Sequence, residues 1–101
     1  MKTYNWNDEK NKILKKERGI SFEMIISSIA NGNLLDVLEH HNKDKYPGQK
    51  IFVVKVLEYV YLVPFIETKT ELFLKTIIPS RKATKKYLNK GGRDEKRRTD
   101  K

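Results

Sequence analysis

The sequence predicts an α+β fold: one domain with an antiparallel sheet, two N-terminal helices and a short C-terminal helix. Three observations predict it. Two capped segments with helical spacing lie between Asn7 and Asn33. Runs rich in Val, Ile, Phe and Tyr follow between residues 34 and 78, separated by polar turns. Pro79-Ser80 then opens a third stretch of helix formers that Gly91-Gly92 closes. Helices at both ends and strands together in the middle make an α+β order rather than an alternating α/β one.

Tyr4 to Trp6 reads as a short opening strand. The first helix begins near Asn7 or Asp8, either of which can cap it with a side-chain oxygen, and Gly19 suits the left-handed position that ends it. Its apolar content is thin, Ile13 and Leu14, with Trp6 just before. The second helix is capped by Ser21, and Ile20 can staple onto Ile25. Phe22, Ile25, Ile26 and Ile29 recur at helical spacing and define its buried face. Asn31-Gly32-Asn33 ends it.

Four strands are expected next, over Leu34–His40, Ile51–Leu57, Tyr59–Ile66 and Leu72–Ile78. Their short connections favour an antiparallel meander. Val53, Val54, Val60 and Val63 fall on both parities, so the middle strands need cover on both faces. Pro64 cannot donate a ladder hydrogen bond, which marks its side of the strand as an edge or a bulge. In the third helix, capped by Ser80, Ala83 with Tyr87 and Thr84 with Leu88 are the docking pairs. The domain is expected over residues 1–90, with 91–101 as a charged, flexible tail.

The chain has 101 residues, a net charge of +9 and 35% charged residues. The charge is segregated. Residues 80–101 hold ten Lys/Arg against three Asp/Glu, residues 1–20 hold six against three, and the centre is nearly balanced. Segregated positive charge attracts polyanions, so a nucleic acid is the expected partner. A basic protein with a merely solvated tail is the alternative. Cys is absent, which removes disulfides and thiolate metal sites. The adjacent pair His40-His41 does not by itself make a zinc site, so no metal and no cofactor are expected. No nucleotide-binding glycine loop, HExxH, GxSxG or serine triad can be assembled. No segment has the length and apolarity of a signal peptide or a membrane span, and a cytoplasmic location is expected.

One local anomaly points to chemistry. Arg81 and Lys82 occupy the first turn of the third helix, where the helix dipole disfavours cations and acidic residues are usual. With the Ser80 hydroxyl and the free backbone N–H groups, they would form a phosphate-sized anion site. Lys10, Lys12, Lys16 and Arg18 on the first helix, with Lys85 and Lys86 on the third, are candidate RNA contacts. Tyr87 either binds a phosphate or packs under the sheet. Tyr4, Trp6 and Tyr46 are candidates for exposed stacking aromatics, although Trp6, beside a sparse apolar helix face, is better suited to anchor the core.

Trp6-Asn7-x-x-Lys10, then Arg18-Gly19-Ile20-Ser21-Phe22-Glu23, then Ile77-Ile78-Pro79-Ser80-Arg81-Lys82-Ala83-Thr84 follow one another in this chain. In order and spacing they resemble the motifs of the BrnT-like toxins, small type II toxin–antitoxin proteins related to the RelE-like ribonuclease superfamily. In that family an acidic residue commonly follows the last motif, where this chain continues Lys85-Lys86-Tyr87. The resemblance implies helices packed on an antiparallel sheet, cleavage of mRNA and inhibition of translation. It also implies a neutralising antitoxin encoded nearby, of ribbon–helix–helix type. For metal-independent cleavage, a 2′-hydroxyl must lose a proton and the phosphorane needs cations. Arg81 and Lys82 would supply the cations, with Lys75 as a third, and His41 or Glu67 would be the base. A non-catalytic nucleic-acid-binding or regulatory module would use the same charge without a base.

Overall fold

In a computed structural model of the chain, a single sheet separates two helical layers. The structure describes residues 2–39, 44–45 and 48–88. His40, His41, Tyr46 and the expected tail over 91–101 lie outside the described residues.

β1 (Thr3–Trp6) leads into α1 (Asp8–Arg18), and α2 (Phe22–Ala30) follows directly. Asn7 caps α1 by accepting the Lys10 N–H, and Gly19 ends it with φ 68°. Ser21 caps α2, its hydroxyl accepting the Met24 N–H at 3.2 Å. Both helices begin and end where their capping residues demand. β2 (Leu34–Glu39), β3 (Gln49–Val56), β4 (Tyr59–Glu67) and β5 (Glu71–Leu74) form the expected antiparallel meander. Leu57, in the β3–β4 turn, takes a left-handed conformation with φ 58°, which strains a side chain with a Cβ.

Two features depart from the sequence reading. The sheet is mixed rather than wholly antiparallel, because β1 pairs in parallel with β5 and gives the order β1-β5-β4-β3-β2. A parallel pairing needs a long connection, and here everything between β1 and β5 serves as one. The expected last strand is also broken. β5 stops at Leu74, and β6 (Ile78–Pro79) resumes the pairing against Tyr61 and Leu62 of β4. Pro64 sits opposite that gap, where its carbonyl accepts the Lys75 N–H at 2.8 Å. The missing N–H of proline interrupts the flank of β4 rather than ending the sheet.

The two faces are unequal. α1 and α2 bury Leu14, Phe22 and Ile25 against Phe52, Val54, Val63, Phe65, Leu74 and Ile77. Trp6 stacks on Phe22 with centroids 5.8 Å apart, and Phe52 on Phe65 at 3.9 Å. Trp6 is thus a core anchor, and Tyr4 packs against the same core. On the opposite face α3 (Arg81–Leu88) covers a smaller patch, with Ala83, Tyr87 and Leu88 over Val53, Val60, Leu35 and Leu62. The valines of both parities are therefore buried, as their pattern requires.

Candidate nucleic-acid interface

α3 is fixed to the sheet by its first turn. The Ser80 N–H donates to the Val60 carbonyl at 3.1 Å, and the Ser80 hydroxyl accepts the Ala83 N–H at 3.0 Å. Thr84 Oγ1 accepts the Val60 N–H at 2.9 Å and donates to the Ser80 carbonyl at 2.8 Å. One hydroxyl thus ties the helix to β4 while satisfying a strand N–H, a role that isosteric Val could not fill. The sequence reading assigned Thr84 only packing. At the far end of α3, Tyr87 donates to Asp36 Oδ2 of β2 at 2.9 Å. That hydrogen bond holds the Tyr87 hydroxyl pKa above its ordinary value. Tyr87 therefore does both things its chemistry allows: its ring packs on the sheet and its hydroxyl makes a polar contact.

Four cations decorate this anchored helix. Arg81, Lys82, Lys85 and Lys86 are all exposed, and none forms an ion pair with a carboxylate among the described residues. Lys82 and Lys86, one turn apart, border a groove of about 150 Å³ between α3 and the sheet. Arg81 and Lys85 fall on the adjacent stripe, outside that groove. The first turn of α3 thus presents cations on two sides.

Arg18 reaches the same edge of the sheet from the other layer. Its guanidinium donates to the Ile77 carbonyl at 3.1 Å, four residues before Arg81. Lys75 is exposed just after β5. Lys10, Lys12 and Lys16 are exposed on α1 and belong to the opposite helical layer from α3. The structure therefore has two basic surfaces, with Arg18 at their junction.

Glu67 is not brought to this place. It ends β4, seven residues beyond Val60, which is about 23 Å along an extended strand. Its carboxylate is held by Lys2 and by Lys50, the latter at 2.8 Å. Hydrogen bonds from Lys2 and then Lys50 depress its pKa to about 2, and the Lys50 pKa is raised in return. A carboxylate gripped by two ammonium groups is a weak proton acceptor, so the expectation of Glu67 as a base beside Arg81 is not carried further. The alternative base, His41, lies outside the described residues. A carboxylate that the structure does bring to α3 is Asp36, which nothing in the sequence distinguished.

The Glu67 clamp has an acid signature. A folded-state pKa near 2 against an ordinary 4.5 gives stability that is fully present above pH 4.5 and lost as the pH falls towards 2. Urea midpoints between pH 2 and pH 6 should fall more steeply in the native protein than in Glu67→Gln. Parallel curves would show that the clamp contributes nothing.

Among the described residues, three helices lie around a six-stranded mixed sheet, with the cation-bearing α3 on the face opposite α1 and α2, in a small α+β domain. Among solved structures it is similar to the crystal structure of the Brucella abortus ribonuclease toxin BrnT, with a TM-score of 0.52. The match covers 79% of this chain and 97% of that one at 11% sequence identity, which is a likeness of fold. No protein-family model and no curated protein matches the sequence.

Proposed function

We propose that the chain is the toxin of a bacterial type II toxin–antitoxin pair and acts as a metal-independent endoribonuclease on mRNA. The observation that carries the reading is the fold likeness to a ribonuclease toxin. The exposed cations on α3 would supply the site. Arg81 would stabilise the charge that develops on the phosphorane, with Lys82, Lys85 and Lys86 holding the flanking backbone. Arg18 bonds the Ile77 carbonyl, and Lys75 is exposed just after β5. Asp36, hydrogen-bonded to Tyr87, would take the part first given to Glu67 and accept the proton of the attacking 2′-hydroxyl. The substrate would be mRNA, free or on the ribosome, and cleavage would inhibit translation in the cytoplasm. The restraining partner would be a small antitoxin encoded beside it, of ribbon–helix–helix type. No helix among the described residues is long and apolar enough to cross a membrane.

Induced expression should arrest growth, and Arg81→Ala should relieve the arrest. In purified protein the same substitution should cut RNA cleavage about 100-fold, the usual cost of one oxyanion-stabilising donor. Circular dichroism should show an unchanged fold, since Arg81 is exposed. A folded Arg81→Ala protein that stays fully toxic defeats the site assignment.

The placement of Glu67 favours a second reading, a non-catalytic RNA-binding or regulatory module. Such a module needs the cations and no base. Salt-dependent RNA binding by protein that never cleaves RNA would select it.

A further inference from the structure

The groove beside α3 has an apolar floor that the cleavage reading leaves unused. Its floor is apolar, made by Leu38 of β2, Val53 of β3, Leu62 of β4 and Ala83 of α3. Lys82 and Lys86 border it, and Ser80 and Tyr87 also line it. Leu38 is 39% exposed although it faces this apolar floor. At about 150 Å³ the space is well below the ~300–1,000 Å³ of ordinary small-molecule sites. It holds one flat ring system and no more.

Apolar floor and cationic rim together match one kind of ligand unit, a planar ring joined to an anion. We infer that the groove bounded by α3 and strands β2 to β4 is a subsite for one unstacked base of single-stranded RNA. The base lies on Leu38 and Leu62, above the buried Val53, and its flanking phosphates lie on Lys82 and Lys86. The inference rests on the RNA-directed reading above and adds where a nucleotide outside the scissile phosphate is held. The Ser80 hydroxyl already accepts from Ala83 and the Tyr87 hydroxyl already donates to Asp36. Only the Ser80 O–H as a donor and the Tyr87 oxygen as an acceptor are left at the groove to read base edges. The subsite is therefore sequence-tolerant, as stacking platforms are. Double-stranded RNA is excluded, because its bases are not free to leave the stack. Lys86 also lies 5.4 Å from the Tyr87 ring centroid, which keeps its ammonium at the groove mouth.

Methyl-resolved NMR on the full chain tests this with four probes: inorganic phosphate, nucleoside monophosphates, a single-stranded hexaribonucleotide and its abasic counterpart. The monophosphates and the hexamer should shift the Leu38, Val53, Leu62 and Ala83 methyls. Phosphate and the abasic oligomer should leave them still. Leu38→Glu, at an exposed edge-strand position, should weaken hexamer binding about ten-fold or more. Lys82→Ala with Lys86→Ala should flatten the dependence of log K on log salt by about 1.4, two phosphate contacts on a single strand. Hexamer binding that leaves those methyls and Leu38→Glu unaffected overturns the groove assignment and spares the RNA reading. Absence of any RNA binding overturns both. Shifts of the same methyls by an acidic, aromatic-bearing peptide alone would overturn the inference in favour of a protein partner.

Discussion

Replacing Asn11 by Ala should cost about 2–3 kcal/mol of folding stability, a large share of the ~5–15 kcal/mol that holds a domain this size together. Asn11 is 5% exposed in the middle of α1, where an amide has no reason to be for helix formation alone. Its Oδ1 accepts the Phe22 N–H at 2.8 Å, and its Nδ2 donates to Glu23 Oε1 at 2.8 Å. The Phe22 N–H is one of the N–H groups that a helix start leaves without a partner inside the helix. The bond to Asn11 also holds the Glu23 carboxyl pKa below its usual range. Removing the amide leaves a buried N–H without an acceptor, costing about 1–3 kcal/mol, and breaks a second bond to a charged group. Urea denaturation with an unchanged slope and a lower midpoint should report it. A loss under about 0.5 kcal/mol would mean that water takes over the Phe22 N–H. The consequence reaches the candidate site, because this link ties α1 to the start of α2, and Arg18, the last residue of α1, bonds the Ile77 carbonyl.

Asn11 also shows where the sequence stops being readable. The α1 pattern suggested a stripe of Ile13 and Leu14, yet Ile13 is 49% exposed while Leu14 and Asn11 are buried. A buried amide is dictated by its partners on α2, and hydrophobic periodicity carries no record of such partners. The caps Asn7, Gly19, Ser21 and Ser80 were legible because each acts on its own neighbours. The two-sided burial of β3 and β4 was legible because parity is local too. The parallel pairing of β1 with β5 was not, since it depends on which edge the returning chain leaves open. At the candidate site, Arg81 and Lys82 stood out by violating the helix dipole. Glu67 ends β4, seven residues from Val60, a separation that its place in the sequence does not reveal. Asp36 and Leu38 gave no signal, because their relevance comes from α3 lying across the sheet.

Phe22→Ala should be the more damaging change, costing about 3–5 kcal/mol as full truncation of a buried aromatic does. Phe22 is fully buried, stacks on Trp6 at an interplanar angle of 23°, and anchors the start of α2 in the main core. Trp6 is the sole tryptophan, so its emission reports the loss directly: a red shift in the folded baseline and a lower urea midpoint. Phe22→Leu keeps most of the apolar volume and should lose much less. The Phe22 backbone is the one Asn11 holds, so the two truncations share a site and should not add. The cavity left by Ala lets α2 shift, which weakens the Asn11 bond before the second substitution removes it. The double variant should therefore fall short of the sum by about 0.5–3 kcal/mol, the range for residues in contact. Strict additivity would show that the amide link and the aromatic stack hold α2 independently.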